Sequence, residues 1–433
     1  MLLLLACAPP DPVPASGFSA ELDSDVGTMV KVRWSQDGAA DSWVSFTFDG
    51  ETHESPVESR EAGSHEAWLL GVPGATEVTW QVWTQVEDVG FQGDEQVVTT
   101  DPVPEDFPGI EVPIWEPDLA HEAGWVFGSV DINGGDAYTG PFWLFIADRQ
   151  GRVVWWRNLE WDMSMFPRVS DGHIAWDQRS FFDTTGESSI IRRQTLDESW
   201  EQEIPAPGLG WTWDETDDGA VVYDKTIGQS DLQLAQVDAQ GEHSILWDCT
   251  AWLEPLLDDP EACFTNATNY DAERDTVLWS TYWGDFVVEV DRSSGEVLWY
   301  AGGGLEGGLA FDPPEAAFDL QHYPNWTAAG TLLVSTHIDG VEGEQRAREF
   351  SLSDTTLTEV WSYGEGVTDV WAKYSGEAVR LDNGNTVQNY GTGGEIREVT
   401  SAGEVAWSFQ FGDTYTIGHT DLITDLYALN VGE

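Results

Sequence analysis

Apolar and polar residues alternate along much of this 433-residue chain. In "MVKVRWSQ" (Met29–Gln36) and "WVSFTFDG" (Trp43–Gly50) every second side chain falls on one face, as half-buried strands require. "WLLGVPGATEVTWQVWTQV" (Trp68–Val86) continues with a turn and a long alternating strand. Residues 17–100 are therefore expected to be strands throughout, and the proline-dense "DPVPEDFPGIEVP" (Asp101–Pro113) is expected to be a linker. Beyond it the pattern repeats. A tryptophan closes a strand after a turn at Trp155, Trp200, Trp247, Trp299, Trp361 and Trp407, at gaps of 45, 47, 52, 62 and 46 residues. An apolar strand precedes each ("FWLFIADRQG", "FVVEVDRSSG", "EIREVTSAG"), and turns such as "SDGHIAWD", "DDGAVVYD" and "AAGTLLVS" open a further strand between units. Four short strands in each unit of about 40–50 residues predict a β-propeller. Six units predict six blades over residues 114–433, so the fold class is all-β, a six-bladed β-propeller after a small β-sandwich. A two-sheet solenoid is the alternative. The repeated tryptophans are expected in the core, each packed against the neighbouring blade.

Charge narrows the partners. The chain carries 78 acidic against 18 basic side chains, a formal net charge of −60. Nucleic acid and anionic membrane surfaces both require basic patches, so neither is an expected partner. "DINGGD" (Asp131–Asp136) has the spacing of a Ca²⁺ loop but lacks its later glutamate, and no metal or other cofactor is expected. The start, "MLLLLACAPPDPVPASG", resembles a bacterial lipobox at Leu4–Cys7, which makes Cys7 the expected lipidation site and residues 1–16 a signal remnant and tether. The implied protein is exported and lipid-anchored in the cell envelope, as a monomer. Cys249 and Cys263 then remain as an even pair, and in an oxidising compartment a disulfide between them is expected.

Two resemblances follow. The 17–100 region, with Leu70, Val72 and Pro73 before its long strand, is similar to the E–F region of a fibronectin type III or immunoglobulin-like sandwich. From about Glu122 onward, "VLWSTYWGDFVVEVDRSSGEVLWYAGGG", "FDLQHYPNWTAAGTLLVSTHIDG" and "YSGEAVRLDNGNTVQNYGTGGEIREVTSAGEVAW" resemble successive blades of bacterial arylsulfotransferases. "RLDNGNT" (Arg380–Thr386) is the most specific piece. Quinoprotein propellers carry similar "GEVxW" turns but usually have eight blades. The arylsulfotransferase resemblance implies a periplasmic propeller that moves a sulfuryl group between phenols through a sulfated channel histidine.

Carried over by position, that resemblance puts the nucleophile at His322, in Gln321–His322. Supporting positions depart from the pattern. In "ACFTNATNYD" (Ala262–Asp271), Phe264 stands where a histidine is expected and Asn266 is retained. Tyr282 replaces an arginine, Trp213 replaces a histidine before Asp214, and His419 replaces an arginine near the C-terminus. Aromatic rings stack on aryl groups but do not neutralise sulfate oxygens. Of the cations near these blades, Arg346 is a candidate for binding substrate. Lys373 is a further candidate cation, Arg348 and Arg380 read as strand-surface or packing residues, and His337 as a structural strand end. Two functions stand: a sulfotransferase with a divergent pocket, or a non-catalytic surface propeller binding a small aromatic or glycan ligand. The missing cations favour the second.

Overall fold

The computed structural model describes residues 10–132, 140–180, 183–227, 232–257, 259–338, 341–412 and 414–430. Cys7 and most of the "DINGGD" stretch lie outside them. The described chain is almost entirely β: one five-residue α-helix, Cys249–Leu253, and a few 3₁₀ turns interrupt it. No helix among the described residues is long and apolar enough to cross a membrane.

The N-terminal region forms two antiparallel sheets. Ala15–Leu22, Val30–Gln36 and Gly63–Leu69 make one, and Ala40–Phe48 and Glu77–Val86 are the long central strands of the other. Their inward residues, among them Val32, Trp34, Val44, Phe46, Leu69, Trp80 and Val82, share one core. The alternation seen in the sequence is the cause: Ala40–Phe48 buries every second residue without exception.

Six further sheets of four or five strands follow, and their order along the chain matches the tryptophan spacing. The first contains Trp125–Asp131, Phe142–Asp148 and Val153–Glu160, and its innermost strand is Thr416–Ile423 from the far end of the chain. The last is built on Gly376–Arg380, Thr386–Tyr390, Glu395–Val399 and Val405–Gln410, with Glu111–Trp115 as its outermost strand. Both chain ends of this region are thus locked into sheets made by the opposite end. The expected linker 101–113 is corrected here. Phe107 is buried, with its ring 5.5 Å from Trp143 and 6.2 Å from Phe411, and the chain is already a strand at Glu111. An aromatic residue among the prolines finds a core and fixes the segment.

Hydrogen bonds stitch each of these sheets to the next. Val169 N donates to Asp421 (2.8 Å), Arg168 Nε to the Trp213 carbonyl (3.1 Å), and Tyr270 N to Asp214 (2.8 Å). Three asparagines complete the circuit: Asn269 Nδ2 donates to Pro324 O, Asn325 Nδ2 to Ala378 O and Asn389 Nδ2 to Gly418 O, each at 2.7 Å. Each bonds a main-chain carbonyl of the neighbouring sheet.

The repeated tryptophans join the sheets further out. Trp155 Nε1 donates to Leu196 O, Trp361 Nε1 to Ser401 O and Trp407 Nε1 to Arg149 O, in each case on the neighbouring sheet. Trp247 and Trp299 instead meet Trp279 and Trp326 of the next sheet edge-on, at 5.7 and 6.0 Å. Trp200 differs, packing on His173 of its own sheet. Trp155, Trp247 and Trp407 are buried, while Trp200, Trp299 and Trp361 are half-buried.

Cys249 and Cys263 are disulfide-bonded, with Cα atoms 5.9 Å apart across 14 residues. The bridge joins the short helix to the turn leading into strand Thr265–Asp271. In the chain-entropy account a loop of this length is worth about 3 kcal/mol. The paired substitution Cys249→Ser, Cys263→Ser is expected to lower unfolding free energy by about that amount, read from the shift in denaturant midpoint. A change below about 1 kcal/mol would show that the surrounding packing alone holds the turn.

Candidate functional site

Strand starts and entry loops of five sheets meet at a cavity of about 220 Å³. In several lining segments a polar side chain takes up main-chain groups that lie off the regular ladder. Asp177 accepts from Met165 N (3.2 Å) and Phe166 N (2.9 Å), and Asp224 from Trp211 N (2.9 Å) and Thr212 N (2.8 Å). Thr392 Oγ1 accepts from Lys373 N (2.8 Å) and Tyr374 N (3.2 Å). Gln321 Nε2 donates to the carbonyls of Thr281 (2.8 Å) and Phe286 (3.0 Å), and its own carbonyl accepts from Asn266 Nδ2 at 2.6 Å. These bonds explain Thr265, Asn266 and Asn269 of "ACFTNATNYD". Asn266 and Asn269 bridge to the neighbouring inner strand, Thr265 Oγ1 donates to Ser280 O at 2.7 Å, and Phe264 faces the cavity.

The walls are aromatic. Trp211 and Phe264 meet edge-on with ring centroids 6.3 Å apart, and Tyr282 lies 5.5 Å from Tyr374 and 4.8 Å from Trp283. Trp283 is 62% exposed and stands at the mouth, whereas Tyr282 is buried. Phe166 and Met165 close another side. The polar lining comes from Thr265, Asn266, His322 and Ser375; among the described residues no arginine or lysine lines the cavity. Burial, with a smaller contribution from His337, pushes the His322 imidazole down to about 3, so it is neutral near pH 7. Its Nε2 accepts from Ser375 N at 3.4 Å, which leaves the proton on Nδ1.

Immediately after His322 the backbone turns. Tyr323 has φ +52°, at an irregularity in the pairing between His322 and Asn325. The left-handed residue, strained by about 1 kcal/mol, sends the Tyr323 ring away from the cavity into a buried polar cluster. There Arg168 meets Tyr323 Oη (3.2 Å), Asn269 Oδ1 (3.2 Å) and Asp214 (3.3 Å). His419 lies between Glu377 (2.6 Å) and Asp421 (3.2 Å) and stacks on Tyr323 at 4.9 Å. Burial opposes its protonation, but the two carboxylates outweigh that and raise it to about 9. Two cations therefore face three carboxylates, and neither cation lines the cavity.

His322, Asn266, Phe264 and Tyr282, distant in sequence, lie together in the cavity wall. Trp213 does not: it is fully buried in the core between sheets, and Trp211 takes the wall position. The pairing irregularity between Leu209 and Trp213 breaks the two-residue alternation, so the two tryptophans do not share an environment. Arg346 pairs with Glu344 at 2.5 Å, Arg348 with Glu359 at 3.2 Å and Arg380 with Glu349 at 2.5 Å, all outside the cavity lining. His337 bonds the Ala372 carbonyl at 2.7 Å. No group of three His, Cys, Asp or Glu that could hold a metal occurs among the described residues. Sequence reading missed Phe166, Trp211, Trp283 and Tyr374, and the Arg168 cluster. "FPRVSDGH" carries no local signal that Arg168 is buried.

Comparison with known protein families and with curated proteins finds no match. Among solved structures, similar chains include a protein of unknown function from Bacteroides caccae, 16% identical over 66% of this chain and 93% of that one, with TM-score 0.44. A streptogramin B lyase is 11% identical over 72% and 98% of the two chains (TM-score 0.41), and a putative 6-phosphogluconolactonase from Bacteroides fragilis is 11% identical over 88% and 99% (TM-score 0.39). Likeness at these TM-scores carries no argument about this chain's chemistry.

Proposed function

We propose that residues 114–433 form a six-bladed propeller of arylsulfotransferase type, preceded by an immunoglobulin-like sandwich, and that it binds a small aromatic or carbohydrate ligand without transferring sulfate. The lipobox-like start supports an exported lipoprotein anchored through Cys7, and the disulfide is consistent with export. The observation that carries the functional reading is the cavity itself: aromatic walls, a neutral histidine and, among the described residues, no arginine or lysine in the lining. Sulfuryl transfer to an imidazole needs positive charge at the sulfate oxygens, and each such donor is typically worth 10²–10³ in rate. Here Arg168 and His419 are committed to carboxylates, and His322 Nε2 already accepts from an amide.

The test is an assay with a chromogenic aryl sulfate as donor and phenol as acceptor. The expected result is no turnover above background, while phenol or an aryl glycoside quenches tryptophan fluorescence saturably. Robust turnover that disappears in His322→Ala would instead establish the sulfotransferase, with His322 as its nucleophile.

A further inference from the structure

The cavity has one polar feature that its aromatic walls do not explain. Asn266 is 6% exposed, and its Nδ2 is committed to Gln321 O at 2.6 Å, which fixes the amide's orientation. Its Oδ1 is buried and has no hydrogen-bond partner among the described residues. A buried acceptor left unpaired is costly, and it is satisfied when a donor enters the site. The acceptor belongs to a residue of the cavity wall. The occupant that suits it brings an N–H or O–H.

The electrostatics choose between donors. Rings of Trp, Tyr and Phe present negative faces, and several such faces around one cavity attract a cation within about 6 Å. Burial pushes the Tyr282 hydroxyl up, and Tyr374 and the carboxylates Asp285 and Asp319 push it further in the same direction. Acid therefore stands close to this wall. Two basic groups touch the rings without lining the cavity. Arg179 lies 5.0 Å over Trp211, with Asp177 and Asp224 beside it, and Lys373 lies 5.1 Å from the Tyr374 ring. Against them stand those carboxylates, a neutral His322 and a chain charge of −60. An anionic ligand meets repulsion here, and a neutral one leaves the ring faces without a charge.

We propose that the ligand of this cavity is an aromatic or similarly apolar compound carrying a protonated amine, its ammonium donating to Asn266 Oδ1 and held against the faces of Tyr282, Trp283 and Trp211. This rests on the binding reading above and names the ligand's charge.

The experiment measures the full-length protein by calorimetry near neutral pH with three probes of one shape: phenethylamine, 2-phenylethanol and 3-phenylpropionate. The amine is expected to bind about 10-fold or more tightly than the alcohol, with the acid weakest. Equal binding of alcohol and amine, or tighter binding of the acid, overturns the proposal and leaves the binding propeller standing. If none of the three binds, this proposal fails, and the binding propeller is then decided by the phenol and aryl glycoside titrations. Asn266→Leu is expected to reduce the amine's advantage at least 3-fold. Trp283→Ala, at a side chain too exposed to endanger folding, is expected to do the same. An amine preference unchanged in both variants would place the attraction on the acidic surface at large and overturn the assignment to this cavity.

Discussion

Glu398→Ala is expected to cost about 3–5 kcal/mol of unfolding free energy. Glu398 is completely buried on strand Glu395–Val399 and joins three separate parts of the chain. One oxygen accepts from His121 N and Asn385 Nδ2, both at 2.6 Å, and the other pairs with Arg149 of the first sheet. Arg149 is itself buried, with its guanidinium 4.0 Å over the Trp407 ring. Removing the carboxylate leaves the buried Arg149 cation unpaired and takes the acceptor from His121 N, while Asn385 Nδ2 keeps only Leu119 O, a heavier loss than the deleted contacts alone. The double variant Arg149→Met, Glu398→Leu is expected to recover most of the loss, because it deletes the orphaned charge as well. Chemical denaturation followed by tryptophan fluorescence reads both. A single-variant cost under about 1 kcal/mol would show that this pair does not hold the last sheet to the first.

The second large effect depends on pH. His419 is held protonated to about 9 against an ordinary 6.5, by Glu377 and Asp421 and in spite of burial. Arg168, Asp214 and Tyr323 are the other titratable groups in its cluster. A histidine whose folded pKa lies above its unfolded one lends stability that is complete below the unfolded value and is lost as pH rises through the folded value. The full contribution is about 3 kcal/mol, of which about 2 kcal/mol disappears between roughly pH 7.5 and 9.5. Other shifted groups act outside that window, the raised tyrosines such as Tyr223 and Tyr270 above about pH 10. His322 and His337 are depressed, so their contributions change below about pH 6.5, and burial raises Asp224 only to about 7. Wild-type stability should therefore fall across that alkaline window, and His419→Gln should flatten the fall while lowering stability at pH 7. An equal slope in both proteins would show that His419 is not protonated in the fold.

Much of the architecture was legible because it is local and repeated. A strand's alternation fixes which residues face inward, and five of the six repeated tryptophans, all but Trp200, mark where one sheet meets the next. The cavity was legible only in part. His322, Asn266, Phe264 and Tyr282 were found through resemblance, since nothing in their own neighbourhoods shows that three remote segments meet. Trp213 was named only because the resemblance places a histidine before Asp214, and the irregular pairing ahead of it leaves that side chain in the core instead. The linker was misjudged because prolines outweighed one phenylalanine. Arg168 escaped notice because its partners, Asp214, Asn269 and Tyr323, come from three other inner strands.

The pairing of Thr416–Ile423 with Trp125–Asp131 has a kinetic consequence. Nearly 300 residues separate the two strands, so the first of the six sheets to be synthesised is the last that can be completed. Until the C-terminal strand arrives, Trp125–Asp131 presents an open hydrogen-bonding edge that any extended segment can occupy. Such long-range closure makes folding slow and leaves an aggregation-prone intermediate. A chain that folds only after its whole length has been made, as one threaded unfolded across a membrane must, never holds that half-made edge while the remainder is still being synthesised.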